Sequence, residues 1–315
     1  MAVAFTFPGQ GSQAVGMGKD IADAFPEARR IFQEVDDALG ENLSKLIWEG
    51  PEETLTLTAN AQPALMAVSL AAIRALESRG FSLKDKVAYV AGHSLGEYSA
   101  LAAAGFISAA DAARLLRIRG NAMQAAVPAG EGAMAAIIGL EQTDVEAACT
   151  EAAQGSGKVC QIANDNGGGQ LVISGAKAAV ELAAKLCTEK GAKRALMLQV
   201  SAPFHSALMA PAAEIMRDAL AGVTKNAPLV PVVSNVSVTP SSDPDEIARR
   251  LVEQVTGRVR WRETVDWLGA NAVATLYEIG AGKVLSGLAR RINRDIATAS
   301  VGSAAEVEAA LAALA

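Results

Sequence analysis

Apolar and polar positions divide the chain into short apolar runs that alternate with longer amphipathic stretches. Val3–Phe7 is an apolar run closed by Pro8-Gly9, the signature of an opening strand. Pro8-Gly9-Gln10-Gly11-Ser12-Gln13 then reads as a tight loop ahead of a helical stretch around Asp20–Leu39. After Pro63, the run Ala64–Ser78 predicts an apolar helix. Val87–Ala91 predicts a second strand, which ends in Gly92-His93-Ser94-Leu95-Gly96, and Glu97–Ala104 a buried helix after it. Strand, sharp turn and helix in that order indicate an α/β fold.

A second pattern starts near Pro128. Strands over Ala133–Gly139, Val159–Ala163, Gln170–Ser174 and Ala195–Val200 alternate with helices over Thr143–Ala153 and Lys177–Lys190, leaving Asn164–Gly169 as a loop. This β-α-β-β-α-β order is the ferredoxin-like, split βαβ motif. Beyond it, helices are expected at about Ala210–Ala221, Asp245–Glu253 and Val284–Arg294, with strands at Val230–Ser234 and Thr275–Ile279. The expected organisation is a large α/β domain from residues 1–127 and 201–315 with a ferredoxin-like small domain, 128–200, inserted in it.

Composition narrows the function classes. At 315 residues the chain exceeds the roughly 100–200 residues of one ordinary domain. Apolar residues are 51% and aromatics only 4%, which excludes general disorder. With 28 Lys+Arg against 34 Asp+Glu, the net charge of −6 argues against nucleic-acid binding. Cys149, Cys160 and Cys187 match neither a disulfide framework nor a metal-ligand spacing, so no metal is expected and a reducing, cytoplasmic setting is the simplest reading. Met1-Ala-Val-Ala-Phe-Thr-Phe has no basic segment of a signal peptide. The longest uncharged run, Thr54–Ile73, carries three threonines, Asn60, Gln62 and Pro63, so no membrane span is expected.

Gly92-His93-Ser94-Leu95-Gly96 is a G-x-S-x-G sequence between an apolar strand and an apolar helix, the context of a nucleophile elbow. The plain alternative is a glycine-rich turn with an incidental serine. A serine nucleophile needs a base, and His93 and His205 are the two histidines. Adjacent side chains on a turn point apart, so His93 is badly placed, which leaves His205 in Ser201-Ala-Pro-Phe-His-Ser; its alternative is a polar loop histidine. Serine before histidine agrees with an α/β-hydrolase-like large domain. Two nucleotide motifs fail. Ile279-Gly-Ala-Gly-Lys-Val lacks the glycine that a phosphate loop needs at Tyr277 and the hydroxyl it needs at Val284. Gly9-x-Gly11-x-x-Ala14 lacks an acid closing a second strand, since Glu34 and Asp36 lie in a helical pattern, so NAD is not expected.

Five segments carry a family resemblance: Gly9-Gln10-Gly11-Ser12-Gln13, Gly92-His93-Ser94-Leu95-Gly96-Glu97, Arg117-Ile118-Arg119-Gly120, Ala202-Pro203-Phe204-His205, and Gln254. In this order, over nearly the whole chain, they resemble the malonyl-CoA:acyl carrier protein transacylases. The resemblance implies that Ser94 is acylated by the malonyl thioester in a ping-pong reaction, with His205 as base. It implies an oxyanion hole from the backbone N–H groups of Leu95 and Gln10, and Arg119 as a bidentate partner for the free malonyl carboxylate. It further implies that a carbonyl near Gln254 holds the imidazole, that Phe204 leaves little room for a branched acyl group, and that Asn164 faces the pocket from a loop of the small domain. From the residues alone, Arg119 is equally a helix-surface arginine beside Arg114 and Arg117, Gln254 a helix cap, and Asn164 an Asx turn.

Implied partners are malonyl-CoA and acyl carrier protein, with no cofactor beyond the coenzyme A thioester, which is a substrate. The implied activity is malonyl transfer in fatty-acid biosynthesis. Alternatives are a serine thioesterase or hydrolase with the same elbow, a trans-acting acyltransferase of polyketide synthesis, and a non-catalytic acyl-CoA-binding protein. Carrier proteins are acidic, so docking would need a local basic face. Lys283, Arg290, Arg291 and Arg294 on one C-terminal helix are candidates, against the alternative of a solvated helix face.

Overall fold

The computed structural model describes residues 2–315. Among these the strands are, in chain order, β1 (Ala2–Phe7), β2 (Tyr89–Gly92), β3 (Gly132–Ile138), β4 (Cys160–Asp165), β5 (Gln170–Ala176), β6 (Arg194–Met197), β7 (Val232–Val233), β8 (Pro240–Ser241), β9 (Val259–Arg260), β10 (Val273–Ile279) and β11 (Ala297–Val301). They form two sheets, of order β11-β10-β1-β2-β7-β8 and β6-β3-β5-β4-β9.

The first sheet is parallel from β11 to β7, and β8 closes it antiparallel. Successive side chains of β1 point to opposite faces. Phe5 and Phe7 enter one core with the helix Thr58–Ser78, while Ala4 enters another with Ala91, Val233 and Trp261. Both faces are therefore covered, which is why these strands read as continuous apolar runs. The second sheet has the antiparallel order β6-β3-β5-β4 of the predicted βαββαβ unit. Ala135, Ile137 and Ile173 pack on the helices Gln142–Ser156 and Lys177–Glu189, and the three free cysteines are buried in this layer. The chain is thus α/β, with an α/β-hydrolase-like core and a small inserted unit. No helix among the described residues is long and apolar enough to cross a membrane.

Several boundaries depart from the pattern. The predicted helix Asp20–Leu39 is two helices, Lys19–Ala24 and Pro26–Leu39, because Phe25 is extended and Pro26 opens the second. The helix predicted after Pro63 begins at Thr58 and contains that proline; its first turns are buried against the helix Ala109–Ala125, where a Cβ on Gly120 would lie 2.6 Å from Ala59 Cα. The predicted loop at Asn164–Gly169 starts two residues late: Asn164 and Asp165 belong to β4, paired with Val172 and Leu171 on one side and with Val259 and Arg260 of β9 on the other. The helix predicted to Arg294 ends at Ile292, so Lys283 precedes it and Arg294 follows it.

Candidate active site

β2 delivers the chain to Ser94, whose φ of 54° and ψ of −111° make the sharp turn before the helix Leu95–Ala103. The flanking glycines are required by contact. A Cβ on Gly92 would lie 1.9 Å from Gly96 O, and one on Gly96 would lie 2.2 Å from Phe7 O. Asn235, just beyond β7, clamps the turn: its Nδ2 donates to Gly92 O at 2.6 Å, and its Oδ1 accepts from Ser94 N at 2.8 Å.

Ser94 Oγ lies 2.7 Å from His205 Nε2. His205 Nδ1 faces Gln254 O at 2.9 Å and Gly257 O at 3.2 Å, both acceptors, so Nδ1 carries the proton and Nε2 is free to accept from the serine. Burial, reinforced by the Arg119 charge, pulls the imidazole pKa down to about 3, so the imidazole is neutral in the resting site. Two backbone carbonyls orient it, in the place of a carboxylate.

Arg119 is 1% exposed, on the inward face of the helix Ala109–Ala125. Nη1 donates to Gln62 Oε1 at 2.8 Å, while Nη2 donates to Gln254 Oε1 at 2.9 Å and to Ser94 Oγ at 3.1 Å. The guanidinium also stands 5.5 Å from the Tyr98 ring centroid. Arg114 and Arg117 are occupied elsewhere, pairing with Asp111 and Glu41. Among the described residues Arg119 makes no ion pair, which leaves a buried cation beside the serine with neutral contacts only. A carboxylate entering there would meet a buried guanidinium with no acid in contact with it.

A cleft of about 460 Å³ opens over this group, lined by Gln10, Ser94, Leu95, Arg119, Phe204 and His205, and on the small-domain side by Asn164, Met134, Ala136 and Val172. Leu95 is the first residue of its helix, so its N–H lacks an intrahelical acceptor and lies next to the serine. Gln10 follows β1 in the tight loop, its Nε2 donating to Thr58 Oγ1 at 3.3 Å. Gln254 lies behind the cleft, 0% exposed. Asn164 reaches the cleft from β4 and not from a loop, because strand pairing on both sides holds its backbone. A larger groove of about 910 Å³, lined in part by Glu131, Lys158 and Lys177, holds none of these residues.

Sequence reasoning misses Gln62, Asn235 and any role for Glu97. Glu97 Oε2 accepts from Gln254 Nε2 at 2.7 Å and from Asn235 N at 3.1 Å. Burial pushes its carboxyl pKa up to about 7 against these bonds and the Arg119 charge. The available signal was a lone acid opening an apolar helix, and an asparagine at the end of an apolar strand, where α/β sheets place ligands. His93, rejected as base, is half-buried in the cleft wall, with Nε2 facing Asn166 Oδ1 at 2.9 Å across the cleft; desolvation lowers its pKa. Lys283 is paired with Glu306 at 2.8 Å, while Arg290, Arg291 and Arg294 are exposed.

Comparison with known proteins gives consistent findings. Residues 4–307 match the family model described as acyl transferase domain. The malonyl CoA-acyl carrier protein transacylase of Escherichia coli K12 is 48% identical, with 98% of each chain covered. The crystal structure of an acyl-carrier-protein-S-malonyltransferase from Bartonella henselae superposes with a TM-score of 0.98 at 64% identity, covering 100% of this chain and 99% of that one. A malonyl-transacylase in complex with its type II polyketide-synthase acyl-carrier protein superposes at a TM-score of 0.95 and 45% identity, covering 99% of this chain and 100% of that one.

Proposed function

From the premise that this chain belongs to the acyl transferase domain family, among its malonyl-CoA:acyl carrier protein transacylases, we propose how its own residues perform the reaction. The chain is an acyltransferase that moves malonyl from coenzyme A to the phosphopantetheine thiol of acyl carrier protein, a supply step of fatty-acid biosynthesis. The observation that carries the residue roles is a single hydroxyl, Ser94 Oγ, with a neutral imidazole acceptor at 2.7 Å and an unpaired guanidinium at 3.1 Å.

Malonyl-CoA enters with its free carboxylate toward Arg119, whose planar fork suits a carboxylate. Ser94 Oγ bonds to the thioester carbonyl carbon as its proton passes to His205 Nε2, and the Leu95 and Gln10 N–H groups receive the developing oxyanion. The C–S bond breaks, and the imidazolium returns the proton to the leaving thiolate. In the second half the carrier's thiol gives its proton to His205 and its sulfur bonds to the acyl carbon; the C–Oγ bond then breaks as the imidazolium returns that proton to Ser94 Oγ, which restores the hydroxyl and the neutral base. The malonyl carboxylate also offsets the Arg119 charge that opposes imidazolium, so bound substrate strengthens its own base. Phe204 and Asn164 shape the acyl site from the two sides of the cleft.

This chemistry calls for no cofactor beyond the thioester substrate. We divide the chain into a catalytic domain, residues 1–127 with 201–315, and a small domain, 128–200, and assign it to the cytoplasm. The purified chain with malonyl-CoA and phosphopantetheinylated carrier should form malonyl-carrier faster than free malonate. Malonate release as the faster process would mark a hydrolase.

A further inference from the structure

Glu97 is 2% exposed, the third residue of the helix that Ser94 opens. Its hydrogen bonds go to Gln254 Nε2 and Asn235 N, and to neither His205 nor Ser94 Oγ. Gln254 Nε2 has two hydrogens, and their nearest acceptors are Glu97 Oε2 at 2.7 Å and Ser94 O at 2.9 Å. With both committed, the side-chain amide has one orientation, and Oε1 faces Arg119 Nη2 at 2.9 Å. Turning the amide over would place an NH₂ against the guanidinium and an oxygen against the Ser94 carbonyl oxygen, two repulsive contacts in a dry site. Arg119 has no acid in direct contact among the described residues, and Glu97, one amide away, is an acid whose charge it feels.

We propose that Glu97 is a positioning residue for malonyl recognition: through Gln254 it holds the Arg119 guanidinium over the Ser94 hydroxyl, and in its ionised form it is that guanidinium's counter-charge until the malonyl carboxylate arrives. The inference rests on the transferase reading above and adds a carboxylate that acts on the carboxylate receptor and leaves the base to its two carbonyls. It also separates two properties of one serine. Reactivity belongs to His205 and the elbow. Selectivity for an acyl group that ends in a carboxylate belongs to the line from Glu97 through Gln254 to Arg119.

That separation is measurable with two reagents for the same hydroxyl. Malonyl-CoA needs Arg119, whereas a neutral sulfonyl fluoride such as phenylmethanesulfonyl fluoride needs only the activated serine. Single-turnover acylation by malonyl-CoA should fall at least tenfold in Glu97→Ala, while inactivation by the sulfonyl fluoride stays within threefold of the wild-type rate. Glu97→Gln, which keeps an oxygen for both donors, should recover at least threefold of the malonyl loss. Equal loss with both reagents would reduce Glu97 to a support of the elbow and overturn the proposal, as would unchanged malonyl acylation. If Glu97→Ala is not recovered folded, Glu97→Asp, which draws the carboxylate back by one methylene, is judged by the same ratio. A wild-type chain that reacts with the sulfonyl fluoride but takes no malonyl would instead defeat the transferase reading.

Discussion

Ser94 and His205 hold φ values of 54° and 55°, in a region that residues with a side chain seldom occupy. Each is locked there by neighbours distant in sequence: Asn235 on the serine turn, and the carbonyls of Gln254 and Gly257 on the imidazole. The electrostatic consequence is testable. Burial disfavours imidazolium, so the neutral base persists to lower pH than for an exposed histidine. Sulfonyl fluoride inactivation should therefore show no inflection at the ordinary histidine pKa near 6.5 and should decline only in far more acidic buffer; a half-loss centred near 6.5 would refute a buried, neutral His205. Ser94 and His205 could be read from the chain because one motif and a shortage of histidines single them out. Arg119 could not be told from Arg114 and Arg117 without the family resemblance, since only packing shows which of the three turns inward. Asn235 and Gln62 escaped because their partners lie far away in sequence.

The elements that carry these residues meet through glycines. Gly92 and Gly96 let β2, β1 and the elbow helix approach one another, and Gly120 lets the helix bearing Arg119 press on the first turn of Thr58–Ser78, the helix that bears Gln62. A methyl at Gly120 would meet backbone at 2.6–2.9 Å, which a side-chain rotation cannot relieve. Gly120→Ala should therefore cost about 1–3 kcal/mol of stability by overpacking. It should also slow malonyl acylation more than sulfonyl fluoride inactivation, because the displaced helix carries Arg119. Urea unfolding and the two acylation rates check this, and an unchanged midpoint would show the contact to be loose. Strands and most helices were visible as apolar runs because both faces of the main sheet are covered. Their ends were less so: Pro63 suggested a start that tertiary burial moved back to Thr58, and β9, only two residues long, exists because β4 offers it an edge.

At the level of the molecule, the site lies where the two sheets approach each other. β4 pairs with β9, Arg262 Nε donates to Asp165 Oδ2 at 2.8 Å, and His93 faces Asn166, so the small unit's β4 end is tied to the elbow and to the segment beyond Gln254. Arg291 packs against the loop that ends β4, where a Cβ on Gly168 would lie 2.9 Å from Arg291 Cβ. This puts one exposed cation, Arg291, near Asn166 and Gln170, which line the cleft, with Arg290 next to it in sequence. Lys283, tied to Glu306, is not among them. Reversing Arg290 and Arg291 to Glu should raise KM for the acidic carrier severalfold and leave malonyl-CoA acylation of Ser94 unchanged; an unaltered carrier KM would move docking to another face. Arg290 and Arg291 were legible as neighbours on one helix despite the net charge of −6; the approach of Arg291 to the β4 loop was not, because only the fold brings the two together. The central claim, that one hydroxyl receives malonyl between His205 and Arg119, is tested most directly by intact mass after brief exposure to malonyl-CoA alone. The wild-type chain should gain one malonyl group, mapped to Ser94 and removed by carrier thiol, and Ser94→Ala should gain none. An adduct that persists in Ser94→Ala, or a wild-type chain that stays unmodified while turning over substrate, would contradict the account.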